Sequence, residues 1–308
     1  MMDKIKLLKH AAKHHIFLYL VVLTPLPTQA GHSLKLSTWN TEWLVSKGNE
    51  RFASSLRNNA DFYKMADYFQ QLDTDILAFQ EVGDHAAIAR VIGDNYRLYF
   101  SDRALPKNQH LQFDDINQYT GFAVRKSIDV NDRPDVSLLP SGHQQKLRFA
   151  SYIVVNYYGT SIHLLNVHLK AGCAGKLTRS KQCKTLKIQA AQLNEWIEER
   201  EDNNQRYIIS GDFNHNLAYR NDWMWTMISQ DNQAKLATKN VDAKCKVKSR
   251  NNPKRTHQFR SLIDHIIISP QLKVETISQA PYSTDDVLEY QLSDHCPLSA
   301  QISYSQGN

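Results

Sequence analysis

"IISGDFNHN", residues 208–216, runs a short apolar stretch straight into Gly211, Asp212, Phe213 and Asn214. This pattern reads as a buried strand that ends in a tight turn. The turn sets a carboxylate and an amide two residues apart at the mouth of the strand. On a strand, that spacing puts both side chains on one face. The same signature recurs. Asn40 and Glu42 follow "LST", Glu81 ends "LAFQE", and Asn166 and His168 sit in "LLNVHLK". Asp264 interrupts "LIDHIII", and Asp294 precedes His295 in "LSDHCP". Burying so many polar groups alone is costly, and gathering the carboxylates around a cation removes that cost. Their oxygen-rich character suits Mg²⁺, with Mn²⁺ as the alternative, better than zinc.

Composition bounds the rest. The chain has 308 residues, 42% of them hydrophobic and 22% charged, which places it among globular and not disordered proteins. Its first thirty residues differ from the remainder of the chain. Lys4, Lys6, Lys9 and Lys13 make a basic start, and "IFLYLVVL" is too short to span a bilayer as a helix. Pro25 and Pro27 end that run, and Thr28-Gln29-Ala30 resembles a small-residue cleavage site. The layout is that of a secretory signal peptide cleaved near Ala30, giving a secreted or periplasmic protein with no membrane anchor in the mature part. A retained N-terminal anchor is the alternative.

Removing that leader changes the charge. The chain carries 37 basic and 31 acidic residues; without four Lys and Asp3 there remain 33 and 30, a net charge of +3. Distribution says more than the total. Lys170, Lys176, Arg179, Lys181, Lys184 and Lys187 form an acid-free segment, and a second basic segment runs from Lys235 to Arg260 against Asp242 alone. Such runs are usually solvated faces; two of them beside clustered carboxylates and histidines point to a polyanionic partner.

Four cysteines are present. In an exported protein, Cys173 and Cys183, flanking a short polar loop, are expected to pair, with a stabilisation of roughly 2–3 kcal/mol from loop closure. Cys245 with Cys296 is the less secure pairing. No C-x-x-C or paired-His spacing supports a zinc site.

"SLKLSTWN", "TDILAFQEV", "YRLYFSD", "TGFAVRK", "QRYIISGDFN", "SLIDHIIIS" and "HCPLSAQIS" read as strands, and residues 148–170 as a hairpin turning at Tyr158-Gly159-Thr160. Residues 52–72 and 184–200 carry apolar positions at helical spacing. Interleaved strands and helices, with no Gly-, Pro- or Ser-rich linker, predict one mixed α/β domain over residues 31–308.

The ordered set "STWNTEWL", "LAFQEV", "NVHLKAG", "SGDFNHN", "LIDHIII" and "LSDHCPLSAQI" resembles the endonuclease/exonuclease/phosphatase superfamily, the group of deoxyribonuclease I, across residues 35–303. One such motif is weak; six in order are specific. The resemblance implies a four-layer α/β sandwich, two mixed sheets packed face to face with helices outside. It also implies metal-dependent phosphoester cleavage. Glu81 resembles the main metal carboxylate, supported by Asn40, Glu42 and Asp294; Glu42 stands where many relatives have Asp. Asp264 and His295 resemble the carboxylate–imidazole pair. Asp212 and Asn214 resemble the pair that orients the attacking water and holds a phosphate oxygen. His168 resembles a second histidine acting as acid at the leaving oxygen, Asn166 shares its face, and Tyr119 resembles the family tyrosine.

Fold alone does not choose a substrate. The first expectation is a monomeric secreted nuclease acting on DNA, with RNA as a further substrate. Lys170, Lys176 and Arg179 would line one side of its cleft and Lys246, Lys248 and Arg250 the other. A phospholipid or sphingomyelin phosphodiesterase needs an apolar docking element, and "NDWMWTMIS" (residues 221–229) is the aromatic cluster to nominate, more readily read as a partly buried helix. A small phosphate-ester phosphatase has only the fold behind it. An inactive polyanion-binding protein is disfavoured by Glu81, Asp212, Asp264, Asp294 and His295 standing together. His85, His110, His143, His163, His257 and His265 read as packed or solvated residues, and so does His215 despite its place after Asn214.

Overall fold

The computed structural model describes residues 32–139 and 146–304. The stretch read as a signal peptide, residues 1–30, lies outside the described residues, as does His143. In chain order the strands are β1 (His32–Leu44), β2 (Ile76–Val82), β3 (Tyr96–Phe100), β4 (Tyr119–Arg125), β5 (Asp129–Val136), β6 (Ala150–Tyr157) and β7 (Thr160–His168). They continue with β8 (Arg206–Asp212), β9 (Lys235–Leu236), β10 (Lys246–Lys248), β11 (Thr256–Gln258), β12 (Asp264–Ile268), β13 (Leu272–Gln279) and β14 (Leu298–Tyr304). The helices are α1 (Asn59–Leu72), α2 (His85–Ile92), α3 (Lys181–Asp202), α4 (Trp223–Ile228) and α5 (Thr284–Glu289).

The described residues form two six-stranded sheets, ordered β13-β14-β1-β2-β4-β3 and β5-β6-β7-β8-β12-β9, and a separate β10–β11 ribbon. Each large sheet is antiparallel except for one central parallel pair, β1 with β2 and β7 with β8. A parallel pair needs a crossover, and helices supply it: α1 between β1 and β2, α3 between β7 and β8. Asn58 starts α1 through a capping box with Asp61, so the helix begins later than the apolar spacing from residue 52 suggests.

The alternation along these strands builds the layers. Leu34, Leu36, Ile76, Ala78 and Phe122 from one sheet meet Ile153, Ile162, Leu164, Ile208 and Ile266 from the other in one apolar cluster between the layers. The opposite faces are covered by helices. Leu77 and Phe79 lie under α1 and α2 with Phe62, Met65 and Ile88, while Leu165 and Val167 lie under α3 and α4 with Leu186, Leu193 and Met224. This is the four-layer sandwich expected from the motifs.

The hairpin turns at Tyr158 and Gly159, both at positive φ, as a two-residue connection requires. Gly211, at φ 138°, allows the closest approach of β7 and β8: any Cβ there would collide with the Val167 carbonyl. That glycine stands directly before Asp212, so strand contact fixes where the carboxylate points. Both cysteine pairs are bridged, Cys173 to Cys183 and Cys245 to Cys296.

Candidate active site

Both parallel pairs run their C-terminal ends to the same rim, where polar side chains are free of the strand ladder. From β1 and β2 come Asn40 and Glu81; from β7 and β8 come His168 and Asp212, paired in register. The packed sheets bring the four together. Asn40 Nδ2 donates to Glu81 Oε1 at 3.2 Å and to Asp212 Oδ2 at 3.0 Å. His168 Nε2 lies 3.5 Å from Glu81 Oε1 and 3.6 Å from Asp212 Oδ2.

Asp212 is 1% exposed and is held on both oxygens. Its Oδ1 accepts the Asn214 N–H at 2.7 Å and its Oδ2 accepts the Asn214 amide at 3.1 Å. Asn214 reaches this position at φ 53°, beyond the strand end. Burial, with the Asp264 charge nearby, pushes the Asp212 carboxyl up to about 7, although His295 and the Asn214 N–H act against it. Asp264, paired with Asp212 across β12 and β8, accepts from His295 Nδ1 at 2.8 Å. His295 Nε2 stands 3.9 Å from Asp212 and 3.8 Å from Asp294. Burial opposes a charge on His295, but Asp264 and Asp212 outweigh it and hold the imidazole well above its ordinary value.

His168 behaves differently. Burial and the cations Arg148, His295 and Lys170 hold it well below its ordinary value, and its Nδ1 has no hydrogen-bond partner. Two carboxylates lie nearby, but neither comes within hydrogen-bond reach. The ring is therefore neutral, a donor or acceptor and not a ready proton source.

Same-face spacing holds for Asn166 and His168 but not for Asn40 and Glu42. The β1–β2 register shifts after Asn40, and Glu42 and Trp43 take positive φ. That bulge turns Glu42 away to accept the Asp294 N–H at 2.9 Å. Burial and the Asp294 charge push the Glu42 carboxyl up to about 7. Glu81 is also at positive φ, 59°, and with Glu42 and Asn214 it places backbone strain on site residues. Its second oxygen accepts from Trp43 N at 3.2 Å and Gln118 Nε2 at 2.5 Å.

Asn166 is not at the rim. Its amide donates to Phe79 O and Gly121 O and its carbonyl accepts from Gln80, so it ties the sheets together from a fully buried position. Tyr119 is buried against Phe100 and Arg103. Asn40 presents its NH₂ to Glu81 and Asp212 and its Oδ1 to the Glu42 N–H. His215 is locked between Cys173 O and Asp222, and His265 is buried against Thr238, both away from the rim.

Two participants escaped the motif reading. Arg148, just before β6, donates to Gln118 Oε1, and Gln118 in turn donates to Glu81. Burial works against the guanidinium charge, while Glu81 and Asp212 favour it. Neither residue belongs to an i, i+2 pair. The one available signal was a cation set immediately before an apolar strand.

Cation chemistry suits an oxygen-rich donor set of this kind: Glu81, Asp212, Asp264 and Asp294 each approach the imidazole of His168 or His295, and Asp264 Oδ1 is buried with no hydrogen-bond partner. Asp212, Asp264 and His295 are close enough to share an ion, their ligand atoms lying within 4.8 Å of one another. Within that triad His295 Nδ1 faces Asp264 Oδ2 at 2.8 Å.

Residues 37–295, which span these strand ends and the aspartate–histidine pair, match the Endonuclease/Exonuclease/phosphatase family in sequence. The chain belongs to that family. No curated protein matches it in sequence. Among solved structures, it is similar to an endonuclease/exonuclease/phosphatase from Bacteroides vulgatus, with 15% identity, TM-score 0.65, and coverage of 89% of this chain and 100% of that one. It is similar to the Bacteroides thetaiotaomicron mannosyl-6-phosphatase at 17% identity and TM-score 0.64, covering 88% and 100%. It is also similar to D. rerio TDP2 complexed with single-strand DNA product, at 15% identity and TM-score 0.61, covering 88% and 99%. Endonuclease/exonuclease/phosphatase chains thus share this sandwich, and phosphoester hydrolysis is the chemistry the family brings to the rim.

Proposed function

We propose that the chain is an exported, divalent-metal-dependent phosphodiesterase that hydrolyses nucleic acid, DNA first and RNA second, as a monomer. The observation that carries this reading is the placement of cations on both flanks of the site. Arg148 and Lys170 stand on the His168 side, near enough for each to disfavour a charge on that ring. Lys248 and Arg250 line a cavity that reaches Asp294 on the other side. A phosphate chain crossing the rim meets positive charge before and after the reacting phosphorus. The TDP2 neighbour with single-strand DNA product is compatible with such a path. Two disulfides support an oxidising compartment.

Mg²⁺, when bound beside Glu81 with Asp294 and Glu42 in support, would neutralise charge growing on the phosphoryl and leaving oxygens. Asp212, raised by burial, takes a proton from water as the water oxygen attacks phosphorus. Asn214 holds Asp212 by side chain and backbone, fixing the direction of attack. His295, kept charged by Asp264, donates to a non-bridging oxygen as negative charge builds there. The ester P–O bond breaks, and the departing alkoxide takes its proton from solvent. His168 stays neutral and donates a hydrogen bond from a fixed position.

The lipid alternative has less behind it: Trp223 and Trp225, both on α4, pack partly buried against the core, and Trp223 Nε1 donates to Gly175 O. The sugar-phosphatase alternative shares the fold of the mannosyl-6-phosphatase. Purified protein incubated with circular DNA, RNA, sphingomyelin vesicles and mannose 6-phosphate, with Mg²⁺ or excess EDTA, separates these readings. DNA should be consumed only with metal, and Glu81→Ala should lower the rate by more than about 100-fold without unfolding. Release of phosphate from mannose 6-phosphate with intact DNA would select the phosphatase instead.

A further inference from the structure

Two strands of three residues cannot stand alone in water, yet the β10–β11 ribbon is fixed at several points. Cys245 at its base is bridged to Cys296, the residue after His295. Gln279 Oε1 accepts the N–H groups of Lys244 and Cys245 at 2.7 and 2.8 Å. Lys246 Nζ donates to Thr284 Oγ1 at the start of α5, which removes Lys246 from the substrate side. Val247 packs onto the core beneath. The connecting turn is closed by Ser249 N–H to Arg255 O and Arg255 N–H to Asn252 O. Between Lys244 and Arg260 the segment carries seven basic residues and no acid.

This tethered, cationic ribbon forms one wall of a cavity of about 630 Å³ whose other side includes Glu42 and Asp294. The two acids belong to the reacting site; the cations, Lys248 and Arg250, come from the ribbon. Aromatic faces stand beside them: Tyr290 after α5, and Phe259, which is 39% exposed and packs edge-on against His257. Cations interleaved with partly exposed rings are the ingredients of a single-strand nucleic-acid surface, since a charge holds phosphate and a ring holds any base by stacking.

We propose that this cavity is a binding subsite for the nucleotide adjoining the scissile phosphate, its base stacked on Phe259 and Tyr290 and its outer phosphate held by Lys248 and Arg250. The Cys245–Cys296 bridge is its positioning device: it ties the ribbon to the loop that carries Asp294 and His295, so the subsite keeps a set distance from the reacting centre. The subsite rests on the nucleic-acid reading proposed for the rim.

The test compares kcat/KM on a single-stranded pentanucleotide with kcat/KM on bis(p-nitrophenyl) phosphate, in Mg²⁺, for the full protein. Phe259→Ala and the Lys248→Ala/Arg250→Ala pair should each lower the ratio of the two by about tenfold or more, mainly through KM for the pentanucleotide. Phe259→Tyr should restore the ratio, because a ring face is kept. Cys245→Ser/Cys296→Ser, checked for folding by its melting transition, should lower the ratio in the same direction. An unchanged ratio in folded Phe259→Ala and Lys248→Ala/Arg250→Ala proteins overturns the subsite while leaving the nuclease reading intact. A wild-type protein that cleaves the small ester but not the pentanucleotide overturns both.

Discussion

At the residue scale, the site is a set of hydrogen bonds that fix protons and charges. Arg148 is the residue whose contribution the motifs least suggest. It is half-buried, linked through Gln118 to Glu81, and close enough to Asp212 to feel its charge. A cation held there by planar donors can stabilise a phosphoryl oxygen without reorganising. Arg148→Ala should lower kcat/KM by about 10²–10³. Arg148→Lys should recover only part of it, since an ammonium cannot reproduce the planar contact to Gln118. Steady-state kinetics with a far-UV spectrum for each variant check this; activity within threefold of wild type for both would remove Arg148 from the machinery. Residues in paired motifs, such as Asp212 with Asn214, were legible because their spacing repeats. Arg148 and Gln118 were not, because an arginine before a strand and a glutamine in a loop look the same in any surface segment.

At the scale of elements, strands and crossover helices were legible from apolar runs and helical spacing. The bulge that turns Glu42 away from Asn40 was not, because it depends on φ values that no residue type at positions 42 and 43 demands. β5 was missed for a different reason: "DVNDRPDV" is a polar edge strand containing Pro134, which resembles a loop in sequence. The β6–β7 hairpin offers a pH test well away from the rim. His163 on β7 meets the Tyr152 hydroxyl across the pair. Burial, then Arg200 and Arg133, pushes His163 down to about 4. The unfolded chain takes a proton near pH 6.5, which the native hairpin refuses. Stability is therefore full above pH 6.5 and is lost as pH falls toward 4. His163→Gln removes the titration. Between pH 6.5 and 4 the variant should lose less stability than wild type, by about 1–2 kcal/mol once the partial solvent contact of the ring is allowed for. Urea melts at several pH values measure this, and a variant-to-wild-type difference that stays constant from pH 4 to 7 would refute it.

At the scale of the whole molecule, charge distribution sets how substrate arrives. If Arg148, Lys170, Lys248 and Arg250 each meet a phosphate, four contacts release counterions on binding. Raising salt from about 50 to 200 mM should then lower kcat/KM on long DNA by about 100-fold, with a far smaller change on bis(p-nitrophenyl) phosphate. Equal salt sensitivity on both substrates would mean that the flanking cations do not track a backbone. The hydrogen bonds of the rim also cross between layers. Asn40 to Asp212 and His295 to Asp264 each run from one sheet, or the loop entering it, to the other. Neither half of the sandwich owns a working set of groups. The reacting centre is a seam, and the act of closing the two sheets is also the act of arming it: a chain with every strand formed but its faces still apart is chemically silent.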